Sequence, residues 1–324
     1  MLRGKIKFIH ILALTVLSIA LGSAALPAAA QTEPAGKQIP AVTHNTWTSG
    51  TPMPTARMGA AAAAVGTNIY VIGGYYVNDI TGVNEIYNTK KNTWTTGAPD
   101  PATRAFMAYA VVNKILYVFG GSNGSELLNV TESYDPATET WSTLAPVPYV
   151  AETAAAVADK DVIYVMGGQD SSGYVTNVAS YNTTTNTWTE EAPLMVPTGW
   201  EAAGLLGATV VSADGGNSSS YVGSEGYNVK KNTWADLPAD PTPRLVGCYA
   251  VIKGKLYVAG GNNGSNLTLN ESYNPKTKSW TTLAPMPEGI QINAASAEAG
   301  GRLFCFGGGS FDQIVYNNVQ IYQP

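Results

Sequence analysis

Histidine and cysteine are the scarcest chemically useful side chains here. Among 324 residues there are two His and two Cys. One of the two, His10, lies in an N-terminal segment expected to be removed. Most metal centres built from His and Cys, and any His-dependent catalytic triad, are thereby excluded from the fold. Two Cys allow one bridge at most, so a disulfide framework is excluded too. Charge is sparse, at 13% of residues, whereas hydrophobic residues make up 45%. Such a chain buries a substantial core and is not disordered. Its length suits two average domains or one large all-β domain.

The first thirty residues read as an export signal. Arg3, Lys5 and Lys7 form a positive head, Phe8 to Leu21 an apolar middle, and Ala28-Ala29-Ala30 an A-x-A cleavage site before Gln31. The apolar stretch of fourteen residues is short for a helix that must cross about 30 Å of hydrocarbon. Cleavage after Ala30 lowers Lys plus Arg from 18 to 15 and leaves Asp plus Glu at 23, a net charge of −8. The sequence therefore predicts a secreted or periplasmic protein, signal 1–30 and linker 31–43 preceding a domain at 44–324. With this acidic balance, no nucleic-acid stripe, polybasic membrane patch or membrane insertion is expected.

A repeat dominates the remainder. Trp47, Trp94, Trp141, Trp188, Trp234 and Trp280 are spaced by 47, 47, 47, 46 and 46 residues. Gly-Gly pairs are interleaved with them at 73, 120, 167, 215, 260 and 307. Tyr87, Tyr134, Tyr181, Tyr227 and Tyr273 each stand seven residues before a Trp, and Tyr322 is a sixth with no Trp after it. Within each unit, short β-branched and aromatic runs separated by Gly, Asn and Pro predict four strands. A sheet this small must stack on neighbours to bury its faces.

These markers resemble the kelch repeat, whose units are blades of a β-propeller. The resemblance covers Asn45 to Tyr322 and implies an all-β fold, a six-bladed kelch β-propeller. Trp47 precedes the first complete unit, and the last unit stops at Pro324 before a fourth strand. The N-terminal segment should therefore form the outer strand of the last blade and close the ring. Cys248 and Cys305 read as two free buried thiols, because they fall on different strands of different blades.

In kelch propellers the face around the channel mouth carries the binding site. Sixteen positions before each Gly-Gly stand Arg57, Arg104, Ala151, Gly199, Arg244 and Gln291. Guanidinium groups suit carboxylates, and amides suit hydroxyls. Equally, Glu85, Glu132, Glu225 and Glu271 recur two residues before the repeat Tyr, so Arg–Glu pairs pinning blade to blade are as good a reading. Residues that break the repeat are stronger site candidates: Trp200, Glu201, Glu152, Tyr76 and Phe311.

The leading expectation is an exported, monomeric binding or scaffold module that recognises a glycan or an extracellular peptide or protein at the channel mouth. The alternative is a metal-free sugar mutarotase similar to N-acetylneuraminate epimerase, with Glu201 or Glu152 as acid–base groups. Copper oxidases of the galactose oxidase type share the architecture but need His ligands, and His44 alone remains after cleavage. Sialidase boxes, zinc motifs and P-loops are absent. No cofactor or metal is expected, and no Asp-rich loop argues for calcium.

Overall fold

The computed structural model describes residues 44–77, 79–216, 223–290, 294–310 and 314–324. The expected signal and linker, 1–43, lie outside these residues, as do Gln291 and Phe311.

Asn45–Pro324 forms one unit built from six four-stranded antiparallel sheets. In blade 1 the strands are Ala61–Val65, Asn68–Ile72, Asn84–Asn88 and Thr93–Gly97, paired in chain order from the axis outward. Blades 2 to 5 repeat that order, starting with Ala108–Val112, Ala155–Asp159, Ala202–Leu206 and Cys248–Ile252. Blade 6 takes Ala295–Ala299, Arg302–Phe306 and Val319–Gln323, and its outer strand is Thr46–Gly50 from the other end of the chain. The innermost strands pack each on the next around the ring, and Ala61–Val65 packs on Ala295–Ala299. The molecule is a closed six-bladed β-propeller.

Burial peaks at the second strands, falls off toward the rim, and follows sequence. Second strands such as Asn-Ile-Tyr-Val-Ile and Ile-Leu-Tyr-Val-Phe are near-continuous apolar runs, buried over their last four residues. That is what a strand covered on both sheet faces requires. Outer strands such as Thr-Trp-Ser-Thr stay exposed apart from the half-buried Trp.

The repeat Tyr and Trp are direct cross-strand partners in every blade, with ring centroids 5.0 to 5.4 Å apart. Each Trp indole also donates, over 2.8 to 3.0 Å, to a carbonyl of the link leaving the preceding blade. The pair thus serves both cross-strand packing and blade-to-blade stapling.

The second residue of five glycine pairs, and Gly215, the first residue of its pair, in blade 4, make another inter-blade bond. Gly74, Gly121, Gly168, Gly215, Gly261 and Gly308 donate their N–H to the carbonyls of Arg104, Ala151, Thr198, Arg244, Ile290 and Arg57, each on the link entering the next blade. At Gly74, φ is +109° and a Cβ would stand 2.9 Å from the Met58 carbonyl oxygen, so glycine is required.

This bond sets the true register in the two longer units. In blade 4, Asp214 (φ 61°) and Gly215 occupy the places of Gly73 and Gly74. Asp tolerates the left-handed region better than most residues. The counterparts of Arg57 are therefore Thr198 and Ile290, not Gly199 and Gln291 as counting had placed them.

The cysteines correct a second expectation. Cys248 and Cys305 are joined in a disulfide, with Cα atoms 5.9 Å apart. Different blades do not separate them, because the innermost strand of blade 5 packs against the second strand of blade 6. The bridge is a further inter-blade staple.

Candidate binding face at the channel mouth

Links entering the innermost strands, and the hairpins that follow each glycine pair, meet on one face. Short bridges join them: Met58 with Tyr75, Ala105 with Ser122, Glu152 with Gln169, Gly199 with Gly216 and Leu245 with Asn262. One residue further in, a ring of backbone hydrogen bonds rims the channel. Phe106 donates to Gly59, Thr153 to Phe106, Trp200 to Thr153 and Val246 to Trp200, over 2.7 to 3.1 Å. Gly59, Phe106, Thr153 and Trp200 all have φ near +60°. Glycine takes this conformation freely, but Phe, Trp and above all the β-branched Thr are strained by it. Strain concentrated in one ring marks a place where surrounding structure over-determines the backbone, as functional sites do.

Phe106 of blade 2 and Trp200 of blade 4 meet over the mouth, with centroids 5.6 Å apart. Below them is a cavity of about 60 Å³ whose lining includes Thr153, Trp200, Glu201, Tyr109 and Tyr249. Tyr109 closes its floor by donating a 3.0 Å hydrogen bond to the Ser296 carbonyl of blade 6. A cavity this size holds a water or two, far short of the several hundred Å³ of a small-molecule site.

Glu201 is 4% exposed and neither carboxylate oxygen has a hydrogen-bond partner. Burial pushes its carboxyl up to about 8, and the charge of Glu225 adds to the shift. The nearby backbone N–H groups of Glu201 and Ala155 oppose it without reaching hydrogen-bond geometry. Glu152, half-buried beside Thr153 in the ring, is raised by burial to about 7. Tyr174, on the hairpin Gln169–Asp170 with Gly173–Tyr174, is raised by burial and then by Glu152 and Glu201. Tyr76 sits half-buried on the equivalent hairpin of blade 1. Trp200, Glu201 and Glu152 are therefore brought together, with Tyr76 out on the rim. Phe106 and Thr153 escaped the sequence reading, although both lie at multiples of 47 residues before Trp200.

The three arginines are placed otherwise. Arg57, Arg104 and Arg244 are each 0% exposed. Arg57 pairs with Glu85 at 2.8 Å, Arg104 with Asp100 at 2.9 Å and with Glu132, and Arg244 with Asp240 at 3.2 Å and with Glu271. Each Arg–Glu pair ties an incoming link to its own blade, while Arg244 also lies 3.9 Å from Asp214 of blade 4, an ion pair between blades. Blade 3, with Ala151 at the Arg position, also has Ala179 at the Glu position. Loss of both partners in blade 3 fits a structural pair, since either charge alone would be buried unpaired; blade 4, with Thr198 at the Arg position, keeps a buried Glu225 that accepts the Met195 N–H instead. These guanidinium groups do not reach the mouth.

The same topology sorts the exposed residues by face. Among the described residues the exposed large apolar side chains are Val77, Val150, Met195, Val196 and Ile314, and all five lie on incoming links or post-glycine hairpins of the mouth face. A groove of about 390 Å³ beside Val150 is lined by Pro148, Tyr149, Asp170 and Val175 among others. The opposite end of the blades carries every lysine of the described residues, Lys255 at a strand start and the others in turns: Lys90, Lys91, Lys114, Lys160, Lys230, Lys231, Lys253, Lys255, Lys276 and Lys278. The negative net charge had predicted no basic patch. A repeat of about 47 residues puts the same turn at the same end of each blade, and so gathers lysines that are far apart in sequence.

Among the described residues no group of three or more His, Cys, Asp or Glu could hold a metal, and no helix is long and apolar enough to cross a membrane. Six blades closed by the N-terminal strand, with a rimmed channel mouth, define a β-propeller of the binding or scaffold kind. A family model described as the KLHDC2/KLHL20/DRC7 Kelch-repeats domain matches residues 40–196, and one described as the Kelch motif matches 248–287. The chain belongs to the kelch-repeat β-propeller family. No curated protein matches it.

Proposed function

We propose that this propeller is an exported binding module that receives a peptide segment of a protein partner across the channel-mouth face. The observation that carries this reading is the one-sided placement of Val77, Val150, Met195, Val196 and Ile314. Apolar side chains gathered on one face of an otherwise polar surface are the mark of a protein interaction site. The strained ring through Phe106, Thr153 and Trp200 supplies a rigid centre for it. A peptide fits better than a glycan, because the Trp200 ring is already covered by Phe106 and the cavity is too small for a sugar ring. The export reading is supported by the charged head, apolar middle and A-x-A site, and by the disulfide, which suits an oxidising compartment.

Selection of a displayed peptide library on the immobilised chain tests this reading. Bound peptides are expected to protect amides in 147–153 and 194–200 from hydrogen exchange. Protection confined to other segments contradicts it. N-terminal sequencing of protein recovered outside the cytoplasm should begin at Gln31.

A second reading, sugar mutarotation, draws on the raised carboxyls of Glu152 and Glu201. Carboxyls tuned toward neutrality suit proton transfer. It lacks an exposed arginine for a sugar carboxylate, since all three candidates are buried. NMR of anomeric exchange in freshly dissolved sialic acid decides it, and an unchanged rate removes it.

A further inference from the structure

All ten lysines of the described residues stand at the end of the blades opposite the mouth. Arg302, at the start of its strand in blade 6, joins them. Against these eleven cations the same end carries five acidic residues, Asp135, Glu139, Asp159, Asp161 and Glu298. The chain as a whole is negative, so this face opposes the sign of the molecule. Nine of the ten lysines are exposed, and none is in an ion pair among the described residues. The fold does not require this. Equivalent turns of blades 2 and 3 hold Ala-Thr-Glu and Thr-Thr-Asn in place of lysine pairs.

We infer that the lysine face is a docking surface for an anionic lipid bilayer, which would hold the propeller flat with its mouth turned away. The geometry favours a planar partner. Cations are carried by all six blades, and the Lys90-Lys91 and Lys230-Lys231 pairs sit on blades 1 and 4, across the ring from one another. A linear polyanion would be matched by a stripe or groove, whereas a disc of dispersed charge matches a field of headgroups. The five exposed large apolar side chains of the described residues lie on the other face, so the contact is electrostatic and peripheral, without insertion. Each lysine near an anionic membrane strengthens binding about five-fold at moderate salt, and attraction falls off within a Debye length.

The test is co-sedimentation of the full chain with vesicles of phosphatidylcholine alone or mixed with phosphatidylglycerol. Binding is expected to the mixed vesicles at low ionic strength, with release near 1 M salt, where the Debye length is about 3 Å. The variant K90E/K91E/K230E/K231E should bind more than about ten-fold more weakly. None of those four residues has positive φ or an ion-pair partner, so the fold is kept, and an unchanged melting temperature verifies this. A mouth-face control, D79K/E126K, should leave vesicle binding intact. Failure to bind mixed vesicles at low salt overturns the inference, and so does full binding by the lysine-reversed variant. Capture by a soluble acidic polysaccharide without vesicle binding, or concentration-dependent self-association without it, reassigns the face to a polymer or a second copy and also overturns it.

Discussion

The Tyr322 hydroxyl donates a 2.8 Å hydrogen bond to the side-chain oxygen of Asn45, joining residues 277 positions apart. The same oxygen accepts the Ala284 N–H at 2.7 Å. Within the chain's interior, Asn92, Asn186 and Asn232 do the same for Tyr87, Tyr181 and Tyr227. Asn45 has φ 61°, matching their 52° to 56°. The closing strand thus reproduces the ordinary turn of a blade without the covalent connection. Asn45→Ala removes two hydrogen bonds and puts Ala in the left-handed region, costing about 2–4 kcal/mol. Deleting residues 31–50 should lower the melting temperature by about 10 °C or more. A melting curve unchanged by the deletion contradicts ring closure.

The disulfide spans 57 positions and ties blade 5 to blade 6. Loop-closure entropy for that separation is worth roughly 4 kcal/mol. Thermal melts with and without reductant should differ by several degrees, and coincident melts would show that the bridge adds no stability.

Arg104 touches Asp100, Glu132 and the Val130 carbonyl from a fully buried position. Arg104→Ala leaves two buried acids uncompensated and is expected to destabilise by about 3–5 kcal/mol. Chemical denaturation measures it. A variant of normal stability that loses ligand would instead give Arg104 a binding role.

Glu201 holds its proton more tightly when folded, from the ordinary 4.5 up to about 8. Its contribution to stability is whole below the unfolded value and is lost as pH rises toward 8. Glu201→Gln mimics the protonated form. It should melt close to the parent chain near pH 4 and above it near pH 8.5. Parallel curves across that range would show that Glu201 is not the group responsible.

Six blades, their four strands and the closing role of the first segment were all legible from Trp, Tyr and Gly-Gly spacing. These residues are periodic because each performs the same contact in every blade. What escaped was relational. Asp214 replaces a glycine because its side chain tolerates the same φ, which shifted counting by one residue in blade 4. The Cys248–Cys305 contact depends on which strands of neighbouring blades face each other. The arginines looked available because sequence shows their charge and not their 0% exposure. Trp200 stood out by breaking the repeat, whereas its partner Phe106 became visible only when the ring placed them together.

The central claim is that the mouth face is the binding face, and affinity measurement on two variants tests it most directly. Peptides selected on the parent chain should bind at least about ten-fold more weakly to Trp200→Ala and to Met195→Asp, with melting temperatures retained within a few degrees. Undiminished affinity for both variants would contradict the account.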